Sequence, residues 1–432
     1  MNTKSKFYLA LVIFSLIGQV AWVVENMYFN VFIYKMFNAT STDISLMVSL
    51  SAVTATLTTL FIGALSDKVG KRKFFICGGY IVWGVTILCF AVIRLDVINA
   101  LFPMAVSAQA VGVSLVIIMD CVMTFFGSSA NDASFNAWLT ESVDGADRGK
   151  VEGINSMMPL VAILVVFGGF MGFDLNVAKS WTTIFIIIGA VVLLIGVSGL
   201  FLVEDKVVKT EENANYFKNI IYGFRPSVIK ENRKLYFYLI AFAVFGISIQ
   251  IFMPYLILYY EVSLKMSNYV LIMAPAIILA AVFTFFYGRF YDKVGFQKSS
   301  IPSILILILG YLILFLLKDT VSVFIGSLLM MCGYLAGMAV FGSIIRDNIP
   351  ENKAGMFQGL RIIGQVLIPG VIGPWIGRLV LLNAEEIVNN DGTTSFIPNE
   401  YIFLAALIVA VVVLALLVLT VVKNKKETSS SK

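Results

Sequence analysis

The feature that most restricts the fold of this chain is a series of twelve long apolar stretches, separated by shorter polar segments. A helix that crosses the hydrocarbon core of a bilayer needs about 20 mainly apolar residues. Because the core offers backbone amides and carbonyls no water, only helices and closed barrels span it. The pattern predicts an all-α membrane protein with twelve transmembrane helices, at residues 7–36, 43–65, 74–93, 109–140, 152–173, 181–203, 235–261, 268–290, 300–317, 322–345, 356–382 and 401–422.

The composition excludes a water-soluble domain and argues against an enzyme. The 432 residues are 59% hydrophobic and only 13% charged, unlike soluble domains of ordinary composition. Histidine is absent, so proton transfer would fall to carboxylates or water. The four cysteines lie in apolar stretches without a C-x-x-C pair, and neither a nucleophile elbow nor a phosphate-binding loop is present. We expect no structural metal, no cofactor and no enzymatic activity.

The basic residues predict the orientation of the chain. Most of the 31 lysines and arginines fall on alternate connections and at both ends, and such residues stay on the cytoplasmic side of a membrane. Both termini are therefore predicted to be cytoplasmic in a multi-pass protein of the cell membrane. The starting segment MNTKSK precedes an apolar stretch too long for a cleaved signal, so it is expected to lead into helix 1. The net charge of +5 then reflects topology, and nucleic acid is not an expected partner.

The longest polar interruption, residues 204–234, divides the chain into two halves of six helices. The predicted domains are residues 1–203, the cytoplasmic linker, and residues 235–432 with a short basic tail. Apolar side chains recur at helical spacing from Tyr216 to Phe224, which predicts a short amphipathic helix on the inner membrane surface. We expect a monomer of two pseudo-symmetric six-helix bundles.

One charged motif occurs twice, 225 residues apart, at the end of the second helix of each half. The copies are GALSDKVGKRK at 63–73 and GRFYDKVGFQK at 288–298. An aspartate at a helix end can accept hydrogen bonds from the free amides of a neighbouring helix N-terminus, and the glycines permit a tight reversal. Phe296 and Gln297 replace a basic pair, which predicts a weaker contact in the second copy. The predicted gating residues are Gly63, Asp67, Lys68, Gly70, Arg72, Asp292 and Gly295.

This repeat resembles the loop 2-3 signature of the major facilitator superfamily, and with twelve helices in two halves the resemblance covers the whole chain. It implies the major facilitator fold and a secondary transporter that works by alternating access. In that family the motif holds the two halves together on the inner side while the transporter faces outward. Fold alone does not identify the solute.

Polar residues inside the predicted helices are the candidates for function, because an ionisable group in the membrane is expensive to bury. In helix 1, one face carries Glu25 near the middle of the span, with Trp22, Asn26 and Asn30 beside it. The offset of 225 residues pairs Glu25 with Gln250 of helix 7. Polar residues in matching positions of the two halves are expected around a central cavity. Helix 11 adds Arg361 and Gln365 on one face.

Helix 4 is the most polar predicted span. Asp120, Asn131 and Trp138 share one stripe, flanked by Asp132 and Asn136. The segment NDASFNAWLTE resembles helix 4 of the glycoside-pentoside-hexuronide cation symporters, which implies a cation- or sugar-binding role for Asp132. The tryptophan of that pattern is Asn136 in this sequence.

The sequence thus predicts a secondary active transporter of a small polar solute, a sugar or glycoside, coupled to H⁺ or Na⁺. The predicted coupling residues are Glu25, Asp132 and Asp120. Neutralising such a carboxylate would favour closure. The predicted solute-binding residues are Trp22, Asn26, Asn30, Asn131, Asn136, Trp138, Gln250, Arg361 and Gln365. The alternative is a proton-coupled exporter of drugs or lipid-like amphiphiles. The glycine and proline spacing of helix 11 resembles a motif of drug/proton antiporters, although in antiporters that motif lies in helix 5.

Overall fold

The computed structural model describes residues 3–143, 148–205, 223–266, 268–349, 359–389 and 392–430. Over these residues twelve helices are long and apolar enough to cross a membrane, which confirms the predicted fold class. We number them α1 to α12: Lys4–Phe37, Ser41–Val69, Arg72–Phe90, Ala108–Ser142, Gly153–Phe170, Ala178–Leu202, Arg233–Ser263, Tyr269–Val294, Phe296–Leu316, Thr320–Asn348, Gly359–Val380 and Tyr401–Leu419. Shorter helices occupy Leu95–Leu101 and Pro226–Glu231.

The chain forms two compact units. Unit 1 comprises Met1–Ile220 and Val388–Ser395, and unit 2 comprises Ile221–Ile387 and Phe396–Lys432. Each unit holds six of the long helices. The predicted amphipathic linker helix falls mainly on residues 206–222, outside the described residues, so it and the predicted domain boundaries stay predictions.

Glycines let neighbouring helices in each unit approach to backbone contact. In unit 1, α3 packs along α6, and a Cβ on Gly84 would lie 2.4 Å from the backbone nitrogen of Leu193. In unit 2, α9 packs along α10, and a Cβ on Gly310 would lie 2.4 Å from the nitrogen of Met330. Small residues are the usual means of close helix packing in membranes, where no hydrophobic effect drives helices together.

The distribution of polar and apolar side chains suits a lipid environment. Large apolar residues such as Phe74, Phe201 and Leu419 are exposed on the outside of their helices. Hydroxyl and charged groups are instead found in the interior, among them Glu25 and Asp120. Exposed apolar bands outside and polar groups inside are expected when the surrounding solvent is hydrocarbon. The protein is therefore a multi-pass membrane protein.

Local sequence signals set several helix ends. Thr40 and Asp43 form a reciprocal capping box at the start of α2, and Asp319 accepts the backbone amide of Ser322 at the start of α10. These side chains satisfy amides that the first turn of a helix leaves free. At the other end, Gly70 follows α2 with φ 66° and Gly295 follows α8 with φ 74°. Glycine tolerates such positive φ values, so both repeated glycines occupy the tight reversals that the sequence predicts.

Four of the long helices contain π-helical turns, in which hydrogen bonds run from residue i+5 to residue i. They are Val24–Tyr28 in α1, Ser128–Phe135 in α4, Tyr259–Ser263 in α7 and Ile363–Leu367 in α11. These are the helices whose polar residues the sequence marks as candidates for function. Such turns often occur at functional sites, because they shift the direction of side chains and loosen the backbone pairing.

Two short strands, which the sequence analysis does not predict, connect α11 to α12. They span Glu386–Val388 and Thr394–Phe396 and pair with each other. The segment between them belongs to unit 1, where the Asn38 side-chain amide donates to the Thr393 hydroxyl at 2.7 Å. Asn38 ends α1 in a left-handed conformation, with φ 53°.

Candidate functional site

The polar face of α1 is built around its π-helical turn. The side-chain amide of Asn26 donates to the Trp22 carbonyl at 2.8 Å, and that of Asn30 donates to the Asn26 carbonyl at 2.9 Å. Asn30 is fully buried, Asn26 is exposed and Trp22 is half-buried. Both amides thus stabilise the irregular backbone of their own helix, and of the two only Asn26 is open to a solute.

Glu25 lies on this turn and joins three helices of unit 1. Its Oε1 accepts hydrogen bonds from Ser51 of α2 at 2.7 Å and from Thr124 of α4 at 2.8 Å. The side chain is 5% exposed, and its Oε2 is buried without a hydrogen-bond partner. A carboxylate held in this way by two hydroxyls is fixed in place but not electrically compensated.

The π-helical turn of α4 carries the second part of the site. Asp132 is half-buried, and the side chains of Ser128 and Trp22 lie beside its carboxylate. The amide of the neighbouring Asn131 donates to the Tyr80 hydroxyl at 2.8 Å, and Tyr80 donates to the Phe14 carbonyl. Asn131 is therefore buried in a contact between helices, whereas Asp132 keeps access to solvent.

The three predicted coupling carboxylates come together in unit 1. Glu25 is close enough to both Asp120 and Asp132 for direct electrostatic interaction. Asp120 is 2% exposed, and its Oδ1 is buried without a hydrogen-bond partner. Carboxylates that interact in a region of low dielectric repel one another strongly while both are charged.

Two of the other α4 candidates have different surroundings. The indole N–H of Trp138 donates to the Glu204 carbonyl at 3.0 Å, and its ring packs on Phe7 and Phe135. Asn136 is exposed, and its amide donates to the Asp132 carbonyl at 3.2 Å. Trp138 is thus buried and already engaged, so it does not enter the solute site that we propose below.

In unit 2 the candidate residues are neutral or basic. Gln250 of α7 is half-buried, and α11 packs so closely against it that a Cβ on Gly373 would lie 2.5 Å from the Gln250 Cβ. Arg361 and Gln365 are half-buried on α11, and Gln365 lies on the π-helical turn of that helix. Their roles as solute contacts stay predictions.

The first copy of the repeated motif forms a compact ionic network. Arg72 is 7% exposed; its guanidinium donates to Ser66 at 2.5 Å and to Glu141 at 2.6 Å, and it also pairs with Asp67. Asp67 therefore binds an arginine side chain, and its predicted contact with the amides of a neighbouring helix N-terminus stays a prediction. It is Asp205 that accepts an amide at the start of α3, from Lys73 at 2.7 Å. A Cβ on Gly63 would make an ordinary contact with the Ala133 Cβ at 3.9 Å, and Lys68 is exposed.

The second copy has a different chemistry. Asp292 is exposed, and Phe296 packs its ring against Tyr238 and Phe341, with centroids 4.9 and 5.6 Å away. Asp347, which like Glu141 is the penultimate residue of its helix, accepts a hydrogen bond from Tyr291 at 3.2 Å. Aromatic packing and one neutral donor thus replace the buried arginine.

Comparison with known proteins identifies the family. A model of the Major Facilitator Superfamily matches residues 8–374. The chain belongs to this superfamily. It is a secondary transporter of a small molecule and not an enzyme. No curated protein sequence matches the chain significantly.

Solved structures with the same fold come from several transporters of this superfamily. A mutant of the nucleoside transporter NupG has a TM-score of 0.70 at 14% identity, covering 96% of this chain and 99% of its own. A bacterial homolog of the human lysosomal transporter Spinster, inward-facing and unoccupied, has a TM-score of 0.68 at 16% identity, with 96% and 97% covered. The xylose transporter XylE from E. coli, partially occluded and inward open, has 0.68 at 13%, with 95% and 96% covered. At these identities the likeness extends to the fold alone.

Sequence reasoning missed several side chains that complete the site. Ser51 was not marked, although Ser51, Thr54 and Thr58 recur at i, i+3 and i+7 on one face of α2, a signal for a hydroxyl-bearing face. Tyr80 and Glu141 gave no such signal. Their partners are far away in sequence, and only the packing of α3 and α4 brings them together.

Proposed function

We propose that this transporter moves a small hydroxyl-rich solute, a sugar or glycoside, by alternating access and couples this movement to a gradient of H⁺ or Na⁺. The distribution of lysine and arginine supports an orientation in the cell membrane with both termini in the cytoplasm. The observation that carries the proposal is the grouping of Glu25, Asp120 and Asp132 inside unit 1, where Glu25 interacts electrostatically with each of the other two carboxylates.

Burial explains why such a cluster suits ion coupling. A carboxylate in a low-dielectric interior is unfavourable while it is charged, and a bound proton or cation removes that charge. The hydroxyls of Ser51 and Thr124 connect Glu25 to α2 and α4. The charge state of Glu25 therefore acts on the packing of three helices at once, which is what a coupling residue has to do.

The solute would contact the more open residues of the same region. Trp22 and Asp132 are half-buried and Asn26 is exposed. Carboxylate and amide groups hydrogen-bond to vicinal hydroxyls, and an indole face packs against the apolar side of a sugar ring. Asn30 and Asn131 would support this wall from behind, since both are buried.

A thermal-unfolding screen of the purified protein tests the proposal. The panel contains monosaccharides, disaccharides and nucleosides, each with Na⁺ and with K⁺ at two pH values, and a set of lipophilic cationic dyes. We expect a stabilising sugar whose effect is lost in Asp132→Asn and Asn26→Ala but kept in Glu386→Gln, an exposed residue of the loop before α12. Stabilisation by the dyes and by no sugar would instead support the exporter.

A further inference from the structure

Three oxygen atoms of unit 1, from Glu25, Ser51 and Thr124, form a close triangle. Glu25 Oε1 lies 2.7 Å from Ser51 Oγ and 2.8 Å from Thr124 Oγ1. The two hydroxyl oxygens are themselves 3.0 Å apart. All three sides of the triangle are therefore within hydrogen-bond distance.

The triangle has more contacts than hydrogens. Each hydroxyl supplies one hydrogen, and an ionised carboxylate supplies none. If both hydroxyls donate to Glu25, the contact between Ser51 and Thr124 brings two oxygens together with no hydrogen between them. A positive ion that all three oxygens face would remove this conflict.

Two further carboxylate oxygens lack partners in the same place. Glu25 Oε2 and Asp120 Oδ1 are buried without any hydrogen bond, in side chains that are 5% and 2% exposed. The two carboxylates interact electrostatically. Among the described residues, the ion pairs do not include either of them, so no lysine or arginine there supplies the missing charge.

We propose that Glu25, Asp120, Ser51 and Thr124 bind one Na⁺ ion. The four side chains offer only hard oxygen ligands, with neither thiolate nor imidazole, which suits an alkali or alkaline-earth cation. No group of three or more acidic, cysteine or histidine side chains in the described part of the chain is arranged for a metal.

Ion size and the spread of the ligands favour Na⁺ over K⁺ and over a proton. Na⁺ is close in radius to Ca²⁺, whose oxygen ligands lie at about 2.3–2.6 Å, so oxygens as closely spaced as these are bridged better by Na⁺ than by the larger K⁺. A proton would sit on a single oxygen, whereas Na⁺ can take oxygen ligands from several side chains at once. A sodium ion contacts all four groups and joins α1, α2 and α4.

This inference deepens the proposed function, because it names the coupling ion of the same site. The experiment measures thermal unfolding of the purified full-length protein in Na⁺, K⁺ or choline chloride at equal ionic strength and fixed pH. Na⁺ at about a hundredfold excess over its Kd is expected to raise the Tm by about 4 °C, with saturation. K⁺ and choline should have no such effect.

Variants then assign the ligands. Ser51→Ala, Thr124→Val and Asp120→Asn should each weaken Na⁺ binding at least about tenfold. Asp96→Asn, at an exposed carboxylate whose pKa the Arg94 guanidinium lowers, and Ser114→Ala, at an exposed hydroxyl of α4, should leave it unchanged. The wild-type comparison of cations needs no variant, so loss of folding in any one variant does not remove the test.

Equal stabilisation by all three salts would overturn the Na⁺ site, as would stabilisation by acid alone or undiminished Na⁺ binding in all three ligand variants. The same samples are titrated with D-xylose and the other sugars of the panel. Sugar binding without a sodium effect would leave the proposed transport function standing and reject the ion. A sodium effect without any sugar binding would support the Na⁺ site and reject the proposed sugar transport.

Discussion

The two units place different chemistry in their interiors. Among the residues that the structure describes, the buried acidic and basic side chains, Glu25, Arg72 and Asp120, all belong to unit 1. The buried polar contacts of unit 2 join neutral groups instead, as between Ser248 and Tyr311 at 3.1 Å and between Tyr260 and Ser327 at 2.7 Å. Unit 1 thus holds the fully buried charges, which suit ion binding, whereas the fully buried polar contacts of unit 2 suit rigid packing.

The two copies of the repeated motif differ in charge in the same way as the interiors of the two units. Both copies keep the left-handed glycine, at Gly70 and Gly295, because the reversal needs it in either unit. Around that turn, Arg72 bridges two carboxylates in unit 1, whereas Phe296 packs among aromatic rings in unit 2. The backbone requirement is shared, and the side-chain solution is not.

The largest difference in stability between matching variants of the two units is expected for Arg72→Ala. Removing the guanidinium leaves Asp67 and Glu141, both partly exposed, facing each other without a cation, which is expected to lower the free energy of unfolding by about 1.5–3 kcal/mol. Gln297→Ala, at the matching and exposed position of unit 2, should change it by less than about 0.5 kcal/mol. Chemical denaturation of both variants in the same detergent checks the pair. An equal loss of unfolding free energy in the two variants would show that the arginine network does not stabilise unit 1 more than Gln297 stabilises unit 2.

The next effect concerns a glycine that unit 2 does not share. A Cβ on Gly18 would lie 1.7 Å from the Asn131 amide nitrogen and 2.6 Å from the Tyr80 hydroxyl. Gly18→Ala should therefore cost about 1–3 kcal/mol. The residue 225 positions later is already Ala243, where no such hydrogen-bonded pair has to fit.

The matched control is Gly78→Ala in α3, where a Cβ would meet nothing within 4 Å. It should be neutral or stabilising by up to about 1 kcal/mol, because alanine favours a helix. The Tm values of both variants measure the difference. A neutral Gly18→Ala would mean that the buried Asn131 contact is not formed.

A smaller effect is expected for Trp138, whose substitution should change stability without changing the affinity for the solute. Trp138→Phe removes the hydrogen bond to the Glu204 carbonyl and should lower the free energy of unfolding by about 1 kcal/mol. The affinity for the stabilising sugar should stay within about twofold of wild type, since the ring is buried against Phe7 and Phe135. Ligand titration of the variant checks this, and a tenfold loss of affinity would restore Trp138 to the solute site.

The smallest effect is expected in unit 2. Tyr291→Phe removes one hydrogen bond to Asp347, between partly exposed groups, and should cost about 0.5 kcal/mol. The same denaturation assay as for Arg72→Ala applies. A loss as large as that of the arginine variant would mean that both copies of the motif contribute equally to the free energy of unfolding.

The sequence predicted the parts of this protein that depend on local pattern. Apolar length located the twelve helices, the 225-residue repeat located both glycine turns, and the cost of membrane burial marked Glu25, Asp120 and Asp132. What it did not predict depends on contacts between distant segments. The hydrogen-bond partners of Glu25 come from α2 and α4, and the indole N–H of Trp138 donates to the Glu204 carbonyl. The π-helical turns and the hairpin before α12 have no periodic signal of their own.

The most direct test of the account is accumulation of the stabilising sugar in proteoliposomes under an imposed ion gradient. Wild-type protein should concentrate the sugar when a sodium gradient is present. The double variant Glu25→Gln, Asp132→Asn should lose this accumulation by about 100-fold, equivalent to about 2.7 kcal/mol of coupling, while Glu386→Gln, at an exposed position of unit 2, retains it. A double variant that still accumulates the sugar against its gradient would contradict the assignment of ion coupling to the buried carboxylates of unit 1.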